Sequence, residues 1–365
     1  MRVEVMLYVY LFVCAAMIAF NIVAAVIFRM DGRRTERIGR GLYRRVSEQL
    51  GRGGAVDRHH IRYLCRKLRR TGNMIAFDKM LESVYAERPR EARDYLRSID
   101  EVFVSLMIRY ARRDRIEAAY FPYIIRKYRV IAHRRFPSIE SALLDMLTER
   151  SIYCRENALQ ALYTTGDVEC VIKAIEILDK SELFFHGKLL CDGLLDFAGD
   201  RLALGNAVIG VFPSLSPEMQ VTMLDYLRFS GGEYREFALS LLQDEHSGEE
   251  LRYACIRYLG KYRFDKAYPV LCLLAQEDAG VNWQYAAIAS TALGAYPGAE
   301  SVRILKSNLF SKSWYIRCNS AESLKRLGVT YSELADVIDG SDRYASEMIR
   351  YCLLRGSDTE KGVLS

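Results

Sequence analysis

The chain has 365 residues, of which half are hydrophobic, and its formal net charge is +6 at pH 7. This composition excludes a disordered polyelectrolyte, because the apolar content is high enough for a folded core. Seven prolines and few stretches of alternating polar and apolar residues favour helices over strands, so an all-α fold is predicted.

The first element is an uncharged run of 24 residues, from Val5 to Phe28. As a helix rising about 1.5 Å per residue it spans ~36 Å, enough to cross a hydrocarbon core of ~30 Å. The run is longer than the roughly 7–15 apolar residues of a signal peptide, and its end offers no small-x-small cleavage site. We therefore predict a retained transmembrane helix over residues 5–28, preceded by a short extracytoplasmic N-terminus at 1–4.

Arginines dominate the segment that follows the apolar run. Seven occur within 17 residues, whereas only Arg2, offset by Glu4, precedes the run. The positive-inside rule places the larger C-terminal part in the cytoplasm and the N-terminus outside, so a single-pass cell-membrane protein is predicted. The candidate membrane-surface residues are Arg29, Arg33, Arg34, Arg37, Arg40, Arg44 and Arg45.

Charge is distributed unevenly along the rest of the chain. Residues 29–135 carry 28 Lys and Arg against 13 Asp and Glu, and residues 136–365 carry 23 against 32. The basic half is therefore the membrane-proximal half, and anionic lipid headgroups are the expected partners near residues 29–70. Nucleic acid is attracted by the same charges, but it is not an expected partner because a tethered chain meets lipid first.

Glycines mark an internal repeat in the distal half. Gly260, Gly294 and Gly328 are 34 residues apart, each directly after a leucine. Further candidates lie upstream at Gly231, Gly199 and Gly166. A period of this length predicts stacked helix pairs, here six of them, with a glycine where the first helix of each pair ends.

Two distant units agree at the level of single side chains. Ser, Tyr, Arg, Asn, Leu and Gly occupy identical offsets in the segments that begin at Ser151 and Ser313. The repeated arginines, Arg155 and Arg317, are predicted to perform the same structural task in each unit, such as pairing with an acid of the neighbouring repeat.

These residues resemble the HEAT repeat, in particular the short bacterial type also found in phycobilisome-lyase proteins. Arg155 and Arg317 match its arginine, and Ala286-Ala287, Ala289 and Ala292-Leu293-Gly294 match its alanine pairs and Ala-Leu-Gly ending. The sequence departs from the pattern at 183–231, where Lys188 and Gln220 replace the arginine. The resemblance implies a right-handed α-solenoid that binds other proteins, and it implies no particular activity.

The predicted organisation has further segments around the repeats. Residues 55–149 form a basic helical region, either divergent repeats or a separate bundle, in which Glu91–Arg112 and Phe121–Arg134 each read as one helix. The predicted segments are the N-terminus at 1–4, the transmembrane helix at 5–28, a basic juxtamembrane segment and linker at 29–54, the basic helical region at 55–149, HEAT-like repeats at 150–340, a capping helix at 341–356 and a tail at 357–365.

Three sets of residues are candidates for contact with a partner, and each has a structural alternative. Ile38, Leu42, Val46 and Leu50 recur every four residues, which suits a helix lying on the inner leaflet or a flank that only sets topology. An arginine-rich helix fits either contact with an acidic partner surface or simple exposure of one helix face to solvent. Aromatic residues at the starts of two successive first helices suit an interface or packing between repeats. The candidate partner-binding residues are Arg62, Arg66, Arg69, Arg70, Trp283, Tyr285, Trp314 and Tyr315.

Recognisable catalytic and metal-binding motifs are absent from the sequence. The nine cysteines are scattered without a CxxC pair, and the five histidines show no metal-binding spacing. Phosphate-binding loops, GxSxG and HExxH are also missing. We therefore expect a protein without enzymatic activity, metal or cofactor.

The features together predict a membrane-tethered scaffold that binds membrane-associated protein partners, on a groove lined by the second helices. One alternative is a regulatory subunit that acts through its transmembrane helix, with Asn21 and neighbouring alanines at the interface. A second is an enzyme of the lyase or nucleic-acid-repair type that some HEAT proteins represent, which requires a polar pocket with paired ionisable groups.

Overall fold

The computed structural model describes residues 3–50, 56–111, 115–276 and 283–354. Within these ranges the chain is helical and contains no strand, which confirms the predicted all-α fold. Two compact units divide the chain, Met1–Leu183 and Phe184–Ser365. The predicted glycine-rich joint at 51–54 and the tail at 357–365 lie outside the described residues.

Nine α-helices are described in the first unit. They are α1 (Val3–Leu50), α2 (Arg58–Lys67), α3 (Thr71–Glu87), α4 (Pro89–Ser98), α5 (Asp100–Tyr110), α6 (Arg115–Lys127), α7 (Pro137–Asp145), α8 (Ile152–Tyr163) and α9 (Val168–Lys180). Helix α1 packs on α3, α2 on α5, and α6 on α8. The carboxylate of Asp167 caps α9 by accepting bonds from the amides of Glu169 and Cys170, as expected for an acid at a helix start.

Helix α1 runs without a break through 48 residues, from the apolar run into the arginine-rich segment. Leu42 and Val46, in the part that packs on α3, are fully buried. The apolar stripe at 38–50 is therefore covered largely by the protein itself. This stripe is the surface that was a candidate for contact with the inner leaflet. Gly39 and Gly41 have low helix propensity, and tertiary packing maintains the helix across them.

The predicted helix Glu91–Arg112 is divided into α4 and α5 at Ile99. The carboxylate of Asp100 is buried at the start of α5, where it lies 2.5 Å from Arg134 and 3.7 Å from the His133 ring. The chain turns at Ile99, directly before this buried carboxylate, and apolar periodicity does not reveal such a turn. The predicted helix Phe121–Arg134 likewise ends early, at Lys127, because Arg129 adopts a positive φ of 48°.

Eleven α-helices are described in the second unit. They are α10 (Gly187–Leu194), α11 (Arg201–Val211), α12 (Pro217–Ser230), α13 (Arg235–Gln243), α14 (Glu249–Lys261), α15 (Tyr268–Ala275), α16 (Trp283–Leu293), α17 (Ala299–Asn308), α18 (Trp314–Arg326), α19 (Ala335–Ile338) and α20 (Arg343–Leu354). The even-numbered helices contact one another in succession from α10 to α20. They form one layer of helices, and the odd-numbered helices are the second members of each pair.

The repeated arginines perform the same structural task, as predicted, but with different partners from those expected. Nη1 of Arg155 donates to the carbonyls of Glu149 and Arg150, and Nη1 of Arg317 donates to the equivalent carbonyls of Ser311 and Lys312. Each guanidinium therefore closes the loop before its own helix by bonding backbone oxygens. The predicted partner was an acid of the next repeat.

Two kinds of structural role are found among the repeat glycines. Gly328 has a φ of 76°, the left-handed conformation expected where a helix ends. Gly260 instead lies inside α14, where a Cβ atom would approach Cα of Ala292 on α16 to 2.9 Å. The predicted turn is thus found at Gly328, and likewise at Gly166 and Gly231, whose φ values are 68° and 83°, whereas Gly260 permits close packing of two successive repeats.

A buried histidine joins α2 to α4 and makes the first unit sensitive to pH. Nε2 of His60 lies 2.7 Å from the Tyr95 hydroxyl. Burial, followed by the positive charge of Arg45, lowers the pKa of His60 below its usual 6.5, against the smaller opposing effects of Asp57 and Glu48. The folded state therefore binds fewer protons than the unfolded state, and stability falls as pH drops below 6.5.

The variant His60→Gln is expected to reduce this loss of stability between pH 7.5 and 5. Thermal unfolding followed by circular dichroism at a series of pH values measures the effect. His59→Gln is the matched control, because it makes the same substitution at an exposed position of the same helix. An identical pH profile for both variants would show that His60 does not titrate on unfolding.

Candidate functional site

The N-terminal half of α1 is exposed and strongly apolar. Its most apolar 18-residue window has a mean hydropathy of 2.7, and none of it is buried inside the protein. One helix near the N-terminus is therefore long and apolar enough to cross a membrane. The seven predicted membrane-surface arginines, Arg29 to Arg45, are all exposed on the continuation of the same helix.

A groove of about 520 Å³ lies where α1 meets α3. Its charged lining is balanced, with Glu36 and Arg40 from α1 and Lys79 and Glu87 from α3. Such a lining has no net preference for an anionic or a cationic ligand. Arg45, farther along α1, lies with its guanidinium 4.1 Å from the Tyr63 ring centroid on α2, so it also supports packing within the first unit.

The arginine-rich helix α2 presents its charges to solvent. Leu64 is buried inside the first unit, as is Leu68 directly after the helix. The charged side chains of the predicted partner-binding set are exposed on and just beyond this helix. These are Arg62, Arg66, Arg69 and Arg70. The arrangement fits both alternatives drawn from the sequence, a solvated face and an acidic partner.

Three aromatic side chains of the second unit, the partly buried Trp283 and the exposed Trp314 and Tyr315, form a group that we call the aromatic patch. The rings of Trp283 and Tyr315 stack at 5.4 Å, and Trp314 meets Tyr315 edge-on at 5.4 Å. Trp314 and Tyr315 are more than half exposed. The sequence placed these residues at successive first helices, and the structure brings them together at the starts of α16 and α18.

Tyr285 does not belong to this patch. Its side chain is buried, its ring meets Tyr253 of α14 at 4.7 Å, and the Arg252 guanidinium lies over it. The packing alternative therefore describes Tyr285, whereas the aromatic patch retains an accessible surface.

A second surface, which we call the basic cleft, occupies about 530 Å³ on the layer of even-numbered helices. Its cations come from α12, α14 and α18, and its floor from small residues of α14 and α16. The lining residues are Arg228, Arg257, Gly260, Lys261, Ile288, Thr291, Ala292, Asn319 and Arg326. Among the described residues, no acidic side chain lines the cleft.

The cations of the basic cleft are held in place chiefly by neutral groups. Nζ of Lys261 donates to the Arg228 carbonyl at 2.8 Å and lies over the Phe229 ring. Arg326 donates to the Thr291 carbonyl at 3.4 Å. Among the described ion pairs of these four cations, only Arg228 has a carboxylate, that of Asp225 at 2.9 Å. Most of the positive charge is therefore available to a ligand.

Sequence reasoning did not find the basic cleft. Its cations lie between positions 228 and 326, and no local run of charge connects them. A usable signal was the helical register of α18, in which Tyr315, Asn319 and Arg326 are spaced by four and seven residues. That spacing places a predicted aromatic residue and a cation on one face of the helix.

A polar network in the first unit contains paired ionisable groups. The buried carboxylate of Asp78 on α3 accepts bonds from Lys127 Nζ at 2.6 Å, from the Tyr120 hydroxyl at 2.8 Å and from the Tyr128 hydroxyl at 2.6 Å. Nζ of Lys127 also bonds Glu82 at 2.6 Å. An open pocket lined by Asp78 and Tyr120 lies beside this network.

The electrostatics of this network differ from those of a catalytic pair. Burial, with the hydrogen bond to Asp78, raises the pKa of Tyr120 and of Tyr128. Burial opposes the charge of Lys127, but its bonds to Asp78 and Glu82 outweigh this and raise the Lys127 pKa. The raised pKa values keep the two tyrosines neutral and the lysine charged at neutral pH. A nucleophile or general base at neutral pH needs the opposite shifts. The network therefore fits a structural role.

The buried cysteine thiols are likewise not activated as nucleophiles. Burial raises the pKa of Cys154 and Cys191 to about 11 and that of Cys170 and Cys255 to about 12. A raised thiol pKa reduces the reactive thiolate fraction. In the described ranges, no three or more His, Cys, Asp or Glu side chains group in a way that could hold a metal ion.

Comparison with known proteins leaves the family open. No protein-family model matches the chain, and no curated protein matches it. Seven chains of solved structures match, among them human deoxyhypusine hydroxylase in complex with glycerol. That match has 15% sequence identity, covers 74% of this chain and 97% of the other, and superposes with a TM-score of 0.29.

Proposed function

We propose that this protein is a membrane-tethered adaptor. In this proposal α1 crosses the cell membrane with its N-terminus outside, and the helix pairs form a HEAT-like, right-handed α-solenoid in the cytoplasm that binds a membrane-associated protein. The observation that carries the proposal is that the apolar half of α1 is wholly exposed while its polar half is packed into the first unit.

The continuity of α1 supports an anchor that is retained. A core helix of a soluble protein has its apolar surface buried, and α1 does not. A signal peptide is released by cleavage in an accessible segment after its apolar region. Here the backbone after Phe28 continues as regular helix into residues that are fully buried on α3.

The charge of the emerging helix supports the proposed orientation. On a helix along the bilayer normal, Arg29, Arg33 and Arg34 lie within ~9 Å of the apolar boundary, where anionic headgroups attract them. Arg44 and Arg45 lie ~24 Å beyond the boundary, outside a Debye length of ~8 Å. We therefore assign lipid contact to the first three arginines, and a role in the first unit to Arg45.

The tethering mechanism needs no catalytic group. Confinement to a layer at the bilayer raises the local concentration of the helix pairs for other membrane-bound proteins. Trp, Tyr and Arg, the residues that dominate protein interfaces, occur in the aromatic patch and in the basic cleft of the second unit.

Replacement of the anchor tests this proposal. Residues 5–28 are exchanged for an unrelated apolar helix in the full-length protein, and partners are captured by crosslinking in cells. The adaptor proposal expects the same membrane protein to be captured by the exchanged and the original chain. Loss of capture with correct membrane insertion would overturn it in favour of a regulatory subunit whose transmembrane helix, with Asn21, is the interface.

A further inference from the structure

We infer that the basic cleft and the aromatic patch together bind an acidic segment of the partner protein, with one large apolar or aromatic residue beside the acidic run. This inference rests on the proposed adaptor function and specifies the chemistry of its partner. Three observations support it: the charge of the cleft, its length, and its continuity with the aromatic patch.

The charge of the basic cleft is opposite to that of its surroundings. Residues 184–365 carry 19 Lys and Arg against 23 Asp and Glu. Four cations nevertheless line this one cleft, and no carboxylate of the described residues lines it with them. An anionic ligand is therefore attracted to the cleft and repelled by much of the remaining surface, which makes the cleft selective as well as attractive.

The length of the basic cleft suits an extended peptide. Its lining comes from α12, α14, α16 and α18, which contact one another in succession. With axes ~8–10 Å apart, the first and fourth helices are separated by roughly 25–30 Å. An extended chain at ~3.3 Å per residue covers this span with eight or nine residues. An isolated phosphate or carboxylate contacts only a small part of it.

The aromatic patch continues the basic cleft on the same helix face. Tyr315, Asn319 and Arg326 follow one another along α18 at helical spacing, so the stacked rings lie directly beyond Asn319. Trp314 and Tyr315 provide exposed apolar surface of the kind that anchors a peptide side chain. The expected ligand therefore has an apolar anchor at one end and carboxylates along the rest.

A nucleic acid fits these observations less well. Its long, evenly charged backbone needs an extended basic surface. The basic cleft is instead bounded by a unit with more acidic than basic residues. A short acidic segment places its charges only where the cations are.

The test is a titration of the full-length protein, held in nanodiscs of zwitterionic phosphatidylcholine, with three fluorescein-labelled twelve-residue peptides. The first has one tryptophan followed by glutamates alternating with glycine, the second lacks the tryptophan, and the third has glutamine for glutamate. We expect saturable binding of the first peptide, roughly tenfold weaker binding of the second and no saturable binding of the third.

Variants assign this binding to the two surfaces. Arg257→Glu is expected to weaken binding of the first peptide at least about tenfold. Arg257 is exposed and has no described bond to lose, so its substitution preserves the fold. Lys312→Glu, an identical charge change outside the basic cleft, is expected to leave binding unchanged. Trp314→Ala is expected to weaken binding of the first peptide to the level of the second.

Several results would overturn the inference. Equal binding of the glutamine peptide, equal effects of Arg257→Glu and Lys312→Glu, or displacement of the peptide by an equal concentration of inorganic phosphate would each do so. Displacement by vesicles that contain phosphatidylglycerol would assign the cleft to lipid headgroups. If the crosslinked partner is still captured by the Arg257→Glu chain, the adaptor function stands and only the acidic-segment inference fails.

Discussion

The variant Asp78→Asn is expected to lower the free energy of unfolding of the first unit by about 2–4 kcal/mol, because it leaves a partly buried Lys127 without its buried counter-charge. The same substitution weakens the hydrogen bonds from the hydroxyls of Tyr120 and Tyr128. These contacts join α3 to α6, so the loss is concentrated at that interface.

Hydrogen exchange followed by mass spectrometry locates this loss. Peptides from α3 and α6 of the full-length protein in detergent should exchange faster in Asp78→Asn. The matched control is Glu82→Gln, which removes the other acid at Lys127. Because the Glu82 side chain is 57% exposed, that change should cost less than about 1 kcal/mol. Equal effects of the two substitutions would contradict a dominant role for the buried carboxylate.

Addition of one methyl group at Gly260 is expected to destabilise the second unit. In the variant Gly260→Ala the new Cβ would lie 2.9 Å from Cα of Ala292 and 3.0 Å from its Cβ. Backbone atoms cannot rotate away, so α14 and α16 must separate, at a cost of about 1–3 kcal/mol. Without the clash, alanine would stabilise this helix by about 0.5–1 kcal/mol.

Gly210→Ala is the matched control, because Gly210 is also helical and no described atom outside its own stretch of helix lies within 4 Å of the added methyl group. It should stabilise the same unit slightly, so the two substitutions are expected to change the free energy of unfolding in opposite directions. Tryptophan fluorescence during urea unfolding measures both, since Trp283 and Trp314 are the two tryptophans of the chain and both lie in the second unit. Stabilisation by both variants would disprove the close packing of α14 on α16.

Most helices of the repeat region could be predicted from the sequence. Gly166 and Gly199, predicted to mark the ends of first helices, are each followed within two residues by the start of a second helix, α9 or α11. Glycines and helix-capping acids are local signals, and their positions depend little on the rest of the fold. This is why Asp167 and Asp200 cap their helices as expected.

The features that were missed depend on contacts between elements. The continuity of α1 beyond residue 28 was not evident from the sequence, because it depends on packing of Leu42 and Val46 on α3. The helix predicted at 91–112 is divided directly before Asp100, whose charge partner Arg134 lies 34 residues along the chain. The cations of the basic cleft converge from three helices, and no local pattern can show which faces will meet.

In the proposed membrane arrangement, the uninterrupted helix α1 sets both the height of the first unit above the bilayer and the rotation of that unit about the helix axis. In this arrangement, each residue between Phe28 and Leu42 adds about 1.5 Å to the distance between the bilayer and the first unit, and turns that unit by about 100°. Removal of seven residues lowers the unit by about 10 Å and changes its facing by only ~20°. Removal of two lowers it by ~3 Å but turns it by ~200°. A partner embedded in the same membrane therefore meets a particular side of the first unit at a particular height, and short deletions in α1 can change either setting separately.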